Sequence, residues 1–305
     1  MWDVVVAGGL NSDFLIRGRA LPVAGQTVAG ETFFDGPGGK GANQAVAVAR
    51  LGARVTMIGC AGSDDRGARL IQTLNKEGVD TQYIVRHPHA ATGAAVIMVD
   101  HSGEKAIMTA PGANLQVRPS DILQAKPAIR SARVLLTQLE LPMPAIEEAF
   151  NTARAAGVRT ILDPAPARKL HPSFLKLVDV IRPNASEAET LTGIRVTDVK
   201  SARAAANHIM ELGVTAVSVQ AGDEGDLLVW KDGEVLLKRI PVVRVDATGA
   251  GDAFAAGLAV GMALGKSFEE AGRIGNAAAA LATTKLGAQS GLPTWEEVRA
   301  LIKAT

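Results

Sequence analysis

Near its carboxyl end the sequence runs Asp246-Ala247-Thr248-Gly249-Ala250-Gly251-Asp252 and then directly into an apolar, alanine-rich stretch. Glycines at the first turn of a helix let several backbone N–H groups converge on one point, and the helix dipole adds positive potential there. Such a turn suits a phosphate. A carboxylate in the same turn, Asp252, repels an anion unless it has other work, such as taking a proton from an attacking hydroxyl. In phosphoryl transfer the protein mainly positions groups and stabilises charge, so one base, an amide cradle and Mg²⁺ form a sufficient set. On spacing alone, Asp252 reads equally well as an acidic residue capping a helix after a glycine turn.

A second cluster, Gly38-Gly39-Lys40-Gly41-Ala42-Asn43-Gln44, also opens a helix. Its glycines allow close approach to the backbone, and Lys40 and Asn43 offer donors to hydroxyl groups. The plainer reading is a glycine loop with a solvated lysine. Asn11 and Asp13 follow the first strand and Glu140 follows a later one. These polar groups therefore fall at the carboxyl ends of strands, where open α/β sheets bind ligands. In Asn184-Ala185-Ser186-Glu187-Ala188-Glu189, either glutamate can organise a hydrated Mg²⁺, though acidic residues also favour the first turn of any helix.

Other patterns mislead. Gly36, Gly38 and Gly41 match G-x-G-x-x-G, but the match follows a loop and no acidic residue lies about twenty positions on after a second strand, so a dinucleotide site is not expected. Gly261 to Ser267 is one residue short of a P-loop, and Ser267 with Glu270 reads as a capping box. His87 and His89 lack a third ligand nearby and read as a surface loop. Cys60 reads as a small core residue.

The elements that must position these groups alternate along most of the chain. Val4 to Ala7, Val55 to Ile58, Val134 to Leu136, Val158 to Leu162, Asp179 to Ile181 and Val214 to Val219 read as strands. Lys40 to Leu51, Asp64 to Asn75, Pro144 to Ala155, Ser201 to Glu211, Ala250 to Leu264, Ser267 to about Lys285 and Thr294 to Ile302 read as helices. Leu227 to Trp230 and Val235 to Leu237 form a hairpin across Asp232-Gly233. Strand–helix alternation implies a mainly parallel sheet covered on both faces. Extended pairs near residues 11–35 and 92–109 interrupt it and suit a small β flap.

Composition sets the bounds. The chain has 305 residues, 47% of them apolar, with 32 basic against 31 acidic side chains. That near-neutral balance favours neither nucleic acid nor a membrane surface as a partner. One cysteine excludes a disulfide framework, and the longest uncharged apolar run, Ala253 to Leu264, is too short to span a bilayer. A cytoplasmic location is expected.

Taken together, Gly38 to Asn43 and Asp246 to Asp252 resemble the two signatures of the PfkB carbohydrate-kinase family. Supporting stretches are Gly9 to Asp13, Leu136 to Glu140, Asp163 to Arg168, Pro183 to Glu189, Leu191 to Ile194 and Lys285 to Gln289. The likeness runs nearly end to end and is nearest to the ribokinase branch. It implies the ribokinase-like α/β fold, with a core of residues 1–10, 36–91 and 110–305 and a β lid of 11–35 and 92–109 that doubles as a dimer interface. It also implies an ATP-dependent sugar kinase, with ribose the leading acceptor. Fructose, deoxyribose, a nucleoside or a keto-deoxy sugar are alternatives, and a non-catalytic sugar-binding homologue is a more distant one.

By the same resemblance Asp252 is the base, and the amides of Gly249, Ala250 and Gly251 form the anion hole. Asn11, Asp13, Gly39, Lys40, Asn43 and Glu140 match the sugar positions. Asn184, Gln220, Gly222, Gly225, Gly251 and Asn276 match the ATP site, and Glu187 the magnesium position. Asp246, Thr248, Ala282, Lys285 and Gly287 match a site for potassium. Four residues depart from the pattern: Ala247 replaces a usual Thr or Ser, Gln220 a frequent Thr, Lys285 a frequent Arg and Gly291 a frequent Ser.

Overall fold

Val4 and Val6 face one apolar core while Val5 and Ala7 face another, so the first strand is buried on both sides. An apolar run without alternation requires this of a strand in a parallel sheet. The computed structural model describes residues 1–305. The strands are β1 (Val4–Ala7), β2 (Asn11–Gly18), β3 (Gly30–Gly38), β4 (Val55–Gly62), β5 (Asp80–His87), β6 (Gly93–Val99), β7 (Lys105–Ala110), β8 (Val134–Thr137), β9 (Arg159–Leu162), β10 (Val180–Ile181), β11 (Ala216–Gln220), β12 (Gly225–Trp230) and β13 (Gly233–Lys238). The helices are α1 (Lys40–Arg50), α2 (Asp65–Lys76), α3 (Pro119–Gln124), α4 (Lys126–Ser131), α5 (Met143–Ala155), α6 (Pro172–Leu175), α7 (Ala185–Thr192), α8 (Val199–Glu211), α9 (Ala250–Ala263), α10 (Phe268–Ala282) and α11 (Trp295–Ala304).

Nine strands form one sheet in the order β13-β12-β11-β10-β9-β8-β1-β4-β5. All neighbours are parallel except the β11–β12 and β12–β13 pairs. The core with Val4 and Val6 is closed by α1, α2, α9, α10 and α11, and the opposite one by α3 to α8. From β1 the chain proceeds to β4 on one side and later to β8 on the other. Such a switch point opens a crevice at the carboxyl ends of the strands.

The second sheet, β3-β2-β6-β7, is small and stands apart. Its β2–β6 pair is parallel and its other two are antiparallel. Residues 19–29 carry no strand. One side presents Ile16, Phe33, Val96 and Met108 to solvent at 38%, 66%, 40% and 77% exposure.

α9 is apolar nearly all round, as a helix must be when packed between a sheet and two others. From Asp252 to Ala263 every residue is buried. Glycine makes that density possible: a Cβ at Gly257 would lie 2.8 Å from the Gly275 Cα of α10.

The structure differs from the sequence reading in several places. β5 was not expected, because its polar, half-exposed residues carry no clear alternation. His87 therefore ends a strand, and its Nδ1 accepts the His89 and Ala90 amides, which caps a turn. α3, α4 and α6 were also unassigned, since their prolines read as breakers but sit in the first helical turn, where a missing N–H costs nothing. In the β12–β13 hairpin Trp230 pairs with Gly233, so Lys231 and Asp232 form the turn and Gly233 begins the next strand. The capping box at Ser267 and Glu270 and the burial of Cys60 are present as read.

Gly257→Val adds a branched side chain where only backbone-to-backbone contact fits. A loss of about 2–3 kcal/mol in unfolding free energy is expected, the scale of overpacking a filled core, and urea titration followed by circular dichroism measures it.

Candidate active site

Gly249 caps the start of α9 in the left-handed region, at φ 82°, and a Cβ there would meet the Ala288 carbonyl oxygen at 2.7 Å. Only glycine fits such a position without strain. The turn leaves the N–H groups of Gly249, Gly251 and Asp252 without any acceptor in the protein, while that of Ala250 reaches the Ala247 carbonyl at 3.3 Å. Unpaired amides at a helix start form an anion site ready for a ligand.

Asp252 sits in this turn, 5% exposed. Its Oδ2 accepts from Asn43 Nδ2 at 2.9 Å and its Oδ1 from Gln44 Nε2 at 3.0 Å. Both donors come from the first turns of α1. Gln44 Nε2 also reaches Asp163 Oδ2 at 2.8 Å, and Gln289 Nε2 holds Asn43 Oδ1 at 3.1 Å. The Lys40 ammonium lies 3.9 Å from Asp252 Oδ1 and 3.6 Å from Asp163 Oδ2. Burial pushes the Asp252 carboxyl above its usual range, and Asp163 adds to this, while Lys40, Asn43 and Gln44 oppose it. Burial disfavours the charged lysine, but the carboxylates of Asp163, Asp252, Glu187 and Glu140 outweigh it and hold Lys40 protonated.

On one side of Asp252 lie the positions matched to the sugar. Asn11 and Asp13 begin β2 and pair with Gly38 and Gly36 of β3, immediately before Gly39 and Lys40. Asp13 is folded onto Gly38 so closely that a Cβ there would overlap its carboxylate, and its Oδ1 is buried without a partner. Burial, aided by the Asp252 charge, raises Asp13 to about 7. Glu140 Oε2 accepts the Lys40 amide at 2.9 Å, and its carboxyl also rises to about 7, driven first by burial and then by Asp252 and Asp163 against Lys40.

On the other side is a cleft of about 400 Å³, walled by Lys40, Asn184, Glu187, Gln220, Gly249 to Asp252 and Asn276, together with Arg182, Arg239 and Arg244. Lys40 and Asp252 are where the two halves meet. Gly222 and Gly225 do not line the cleft. They shape the β11–β12 turn at φ 56° and 136°. Asn276 reaches the cleft but donates from Nδ2 to the Lys238 carbonyl at 2.9 Å. Glu187 forms a capping box with Asn184: Oε2 accepts the Asn184 amide and Oε1 the Asn184 side chain, both at 2.8 Å. No three His, Cys, Asp or Glu side chains cluster into a metal cage.

Of the potassium positions, Asp246, Thr248 and Gly287 meet at one turn. Asp246 Oδ1 accepts from the Thr248 amide and hydroxyl at 3.0 and 2.7 Å, and Oδ2 from the Gly287 amide at 3.1 Å. Lys105 Nζ from β7 stands 2.9 Å from Asp246 Oδ1. Burial alone would raise Asp246, but Lys105, Thr248 and Gly287 bring it down to about 2. The Lys285 ammonium is exposed and 3.9 Å from Glu297, away from this turn.

Several residues at the site carried no assigned role in the sequence reading. Gln44 and Gln289 stood inside quoted motif segments, and Asp163 opened another. Arg182 and Asn114 gave no such signal. Arg182 lies 4.7 Å over the Phe254 ring, reaches Asp226 at 3.1 Å, and sits against Gly251, where a Cβ would be 3.2 Å from its Nη1. Asn114 donates to Asn11 Oδ1 at 2.9 Å and accepts the Leu10 amide at 2.9 Å, fixing the start of β2.

Residues 1–295 match the family model described as pfkB family carbohydrate kinase. The chain is 40% identical over 294 residues to the ribokinase of Haemophilus influenzae, covering 96% of each chain. It is 33% identical over 296 residues to the deoxyribokinase of Salmonella typhi, covering 97% of each. The structure of Arabidopsis thaliana ribokinase complexed with ribose and ATP superposes with a TM-score of 0.91 at 32% identity, over 99% of both chains. The nine-stranded α/β layout with its separate small sheet, the buried carboxylate beside free amides and these matches give one result: the chain belongs to the pfkB family of carbohydrate kinases.

Proposed function

We propose that the chain is a ribokinase, which moves the terminal phosphoryl group of ATP to the 5-hydroxyl of D-ribose and releases ADP. The observation that carries this reading is the placement of Asp252. It is buried, held by Asn43 and Gln44, and set in the same helical turn as three amides that lack acceptors.

The sugar lies among Asn11, Asp13, Gly39, Lys40, Asn43 and Glu140, which together offer charged acceptors and amide and ammonium donors to several hydroxyls. ATP occupies the cleft, with Asn184 and Gln220 at its walls. Asp252 takes the proton from the hydroxyl as that oxygen bonds to the γ-phosphorus and the bond to the β–γ bridging oxygen breaks. Negative charge gathering on the transferring group is met by the amides of Gly249, Gly251 and Asp252, with Lys40 and Arg182 nearby. Preorganised donors of this kind supply most of the catalysis in such a transfer.

Glu187 and Asp163 fit a magnesium ion: both are cleft-side carboxylates, and the charge of Asp163 helps push Glu187 upward, after burial. Mg²⁺ favours one or two carboxylates plus water and phosphate oxygens, so a full protein cage is not needed. When bound it neutralises phosphate charge. The 33% identity to a deoxyribokinase favours 2-deoxyribose as the second acceptor to test.

No helix is long and apolar enough to cross a membrane. With one buried cysteine and a nucleotide triphosphate as substrate, a cytoplasmic location fits. The apolar side of the small sheet suits a second copy of the chain, since exposed patches of this kind mark association surfaces.

Asp252→Asn is expected to lower turnover by about two orders of magnitude or more with little change in melting, and a coupled assay of ADP release checks it. Near-native turnover would remove the base from the mechanism. Asp252 must be ionised to act, and burial raises it above the ordinary carboxylate range; Asp13 and Glu140, the charged acceptors for the sugar, rise to about 7. Kcat/KM for ribose should therefore climb with pH through about 7 and level off above, while a profile already flat at pH 5 contradicts this assignment. Phe33→Asp should convert a dimer to a monomer in sedimentation velocity, and an unchanged mass would place any interface elsewhere.

A further inference from the structure

The turn leading into the amide cradle already has a positive charge beside it, and that charge is a side chain. Lys105 opens β7 and pairs across the small sheet with Val99. Its Nζ lies 2.9 Å from Asp246 Oδ1 and 3.0 Å from Thr248 Oγ1. With the Thr248 amide and hydroxyl and the Gly287 amide, the Asp246 carboxylate has four donors. An ionised carboxylate offers about two lone-pair sites on each oxygen: Oδ1, with Lys105 and both Thr248 donors, is filled, while Oδ2 holds the Gly287 amide alone. The side chain is 6% exposed, which makes an uncompensated charge there costly and gives the ammonium a reason to be present.

The side chains at the remaining potassium positions add no oxygen: the Lys285 ammonium faces Glu297, and Ala282, Lys285 and Gly287 could offer only their backbone carbonyls, while Gly291, where a Ser is frequent, has no hydroxyl. Gly291 also packs against the Ala282 carbonyl, where a Cβ would stand 2.3 Å from the oxygen. A potassium ion brought to Asp246 would meet the ammonium of Lys105 as a like charge at close range. The residues therefore do not fit the monovalent cation that the resemblance implies.

We propose that the Lys105 ammonium takes the place of that cation, so the chain works without potassium. The inference rests on the kinase reading above and concerns the same site. An ammonium bears the same single charge as potassium and is likewise surrounded by oxygen atoms. Tethered to β7, it is supplied at no cost in ion binding and is insensitive to the salt present. It also joins the small sheet to the turn whose amides face the cleft.

The test is ADP release from ribose and MgATP by the full chain, in potassium chloride and in choline chloride of equal ionic strength, with thermal melting in both salts. Wild type should turn over equally in the two and melt at the same temperature. Lys105→Gln removes the charge and keeps the length. It should lose about tenfold or more of its turnover in choline, at the lower end of what losing one fixed charge near the transferring group costs. Potassium should restore most of that rate and raise the melting temperature of this variant only.

Strong potassium stimulation of wild type would overturn the inference and leave the kinase reading intact. So would a K105Q chain as fast as wild type in choline, or one silent in both salts, since the ammonium would then do something potassium cannot. If wild type released no ADP with any sugar, the kinase reading would fall. The melting comparison would still decide whether Lys105 occupies a cation site, because potassium would then have to stabilise K105Q and leave wild type unchanged.

Discussion

Keeping a carboxylate charged out of water is the constraint on which this site depends. Asp252 is nearly inaccessible, the Asp163 carboxylate adds to the cost of its ionisation, and its own charge in turn raises Glu140. Lys40 offsets that cost at 3.9 Å, and the amides of Asn43 and Gln44 supply direct hydrogen bonds. Removing the lysine alone would leave three negative groups around one small space. The arrangement yields a carboxylate weakly enough acidic to accept a proton and bonded firmly enough to remain in place. Burial, one cation and two amides in balance achieve what no single interaction could.

The fold serves this balance by bringing distant segments to one edge. Asn43 and Gln44 lie about two hundred positions before Asp252, and Asp163 lies between them. They meet because β1 and β9 end on the same side of the sheet and because α1 and α9 share one apolar face of it. Close packing of that kind needs small residues, which accounts for the scarcity of large side chains along α9. The high alanine and glycine content seen in the composition is thus the mark of helices pressed together at the site.

Much of this was legible in the residues themselves. Alternating apolar runs and helical stretches announced the layered sheet, and the glycine turn before Asp252 announced an anion site. What remained hidden depends on long-range contact. Arg182 stands just outside the quoted segment that begins at Pro183, with no role of its own marked, and only the folded chain lays it beside Gly251. Asn114 stands two residues after Gly112 in a segment assigned no element, yet it fixes Asn11 from over a hundred residues away. Lys105 belongs to a short exposed strand whose sequence gives no hint of Asp246. The edge strand β5 was missed for a related reason: with its residues half-exposed, its pattern is too weak to separate from a loop.

The separation of the two sheets has a consequence for how this scaffold can change. Base, amides and lysine are all set by the large sheet and its helices, where a backbone contact such as Gly257 on Gly275 tolerates almost no alteration. Asn11 and Asp13 instead project from the first residues of a thin outer layer that has little core of its own to disturb. On the sugar site proposed above, acceptor preference can therefore drift through Asn11 and Asp13 while Asp252 and its amides stay as they are, a division of labour that lets one machine accept new fuels without being rebuilt.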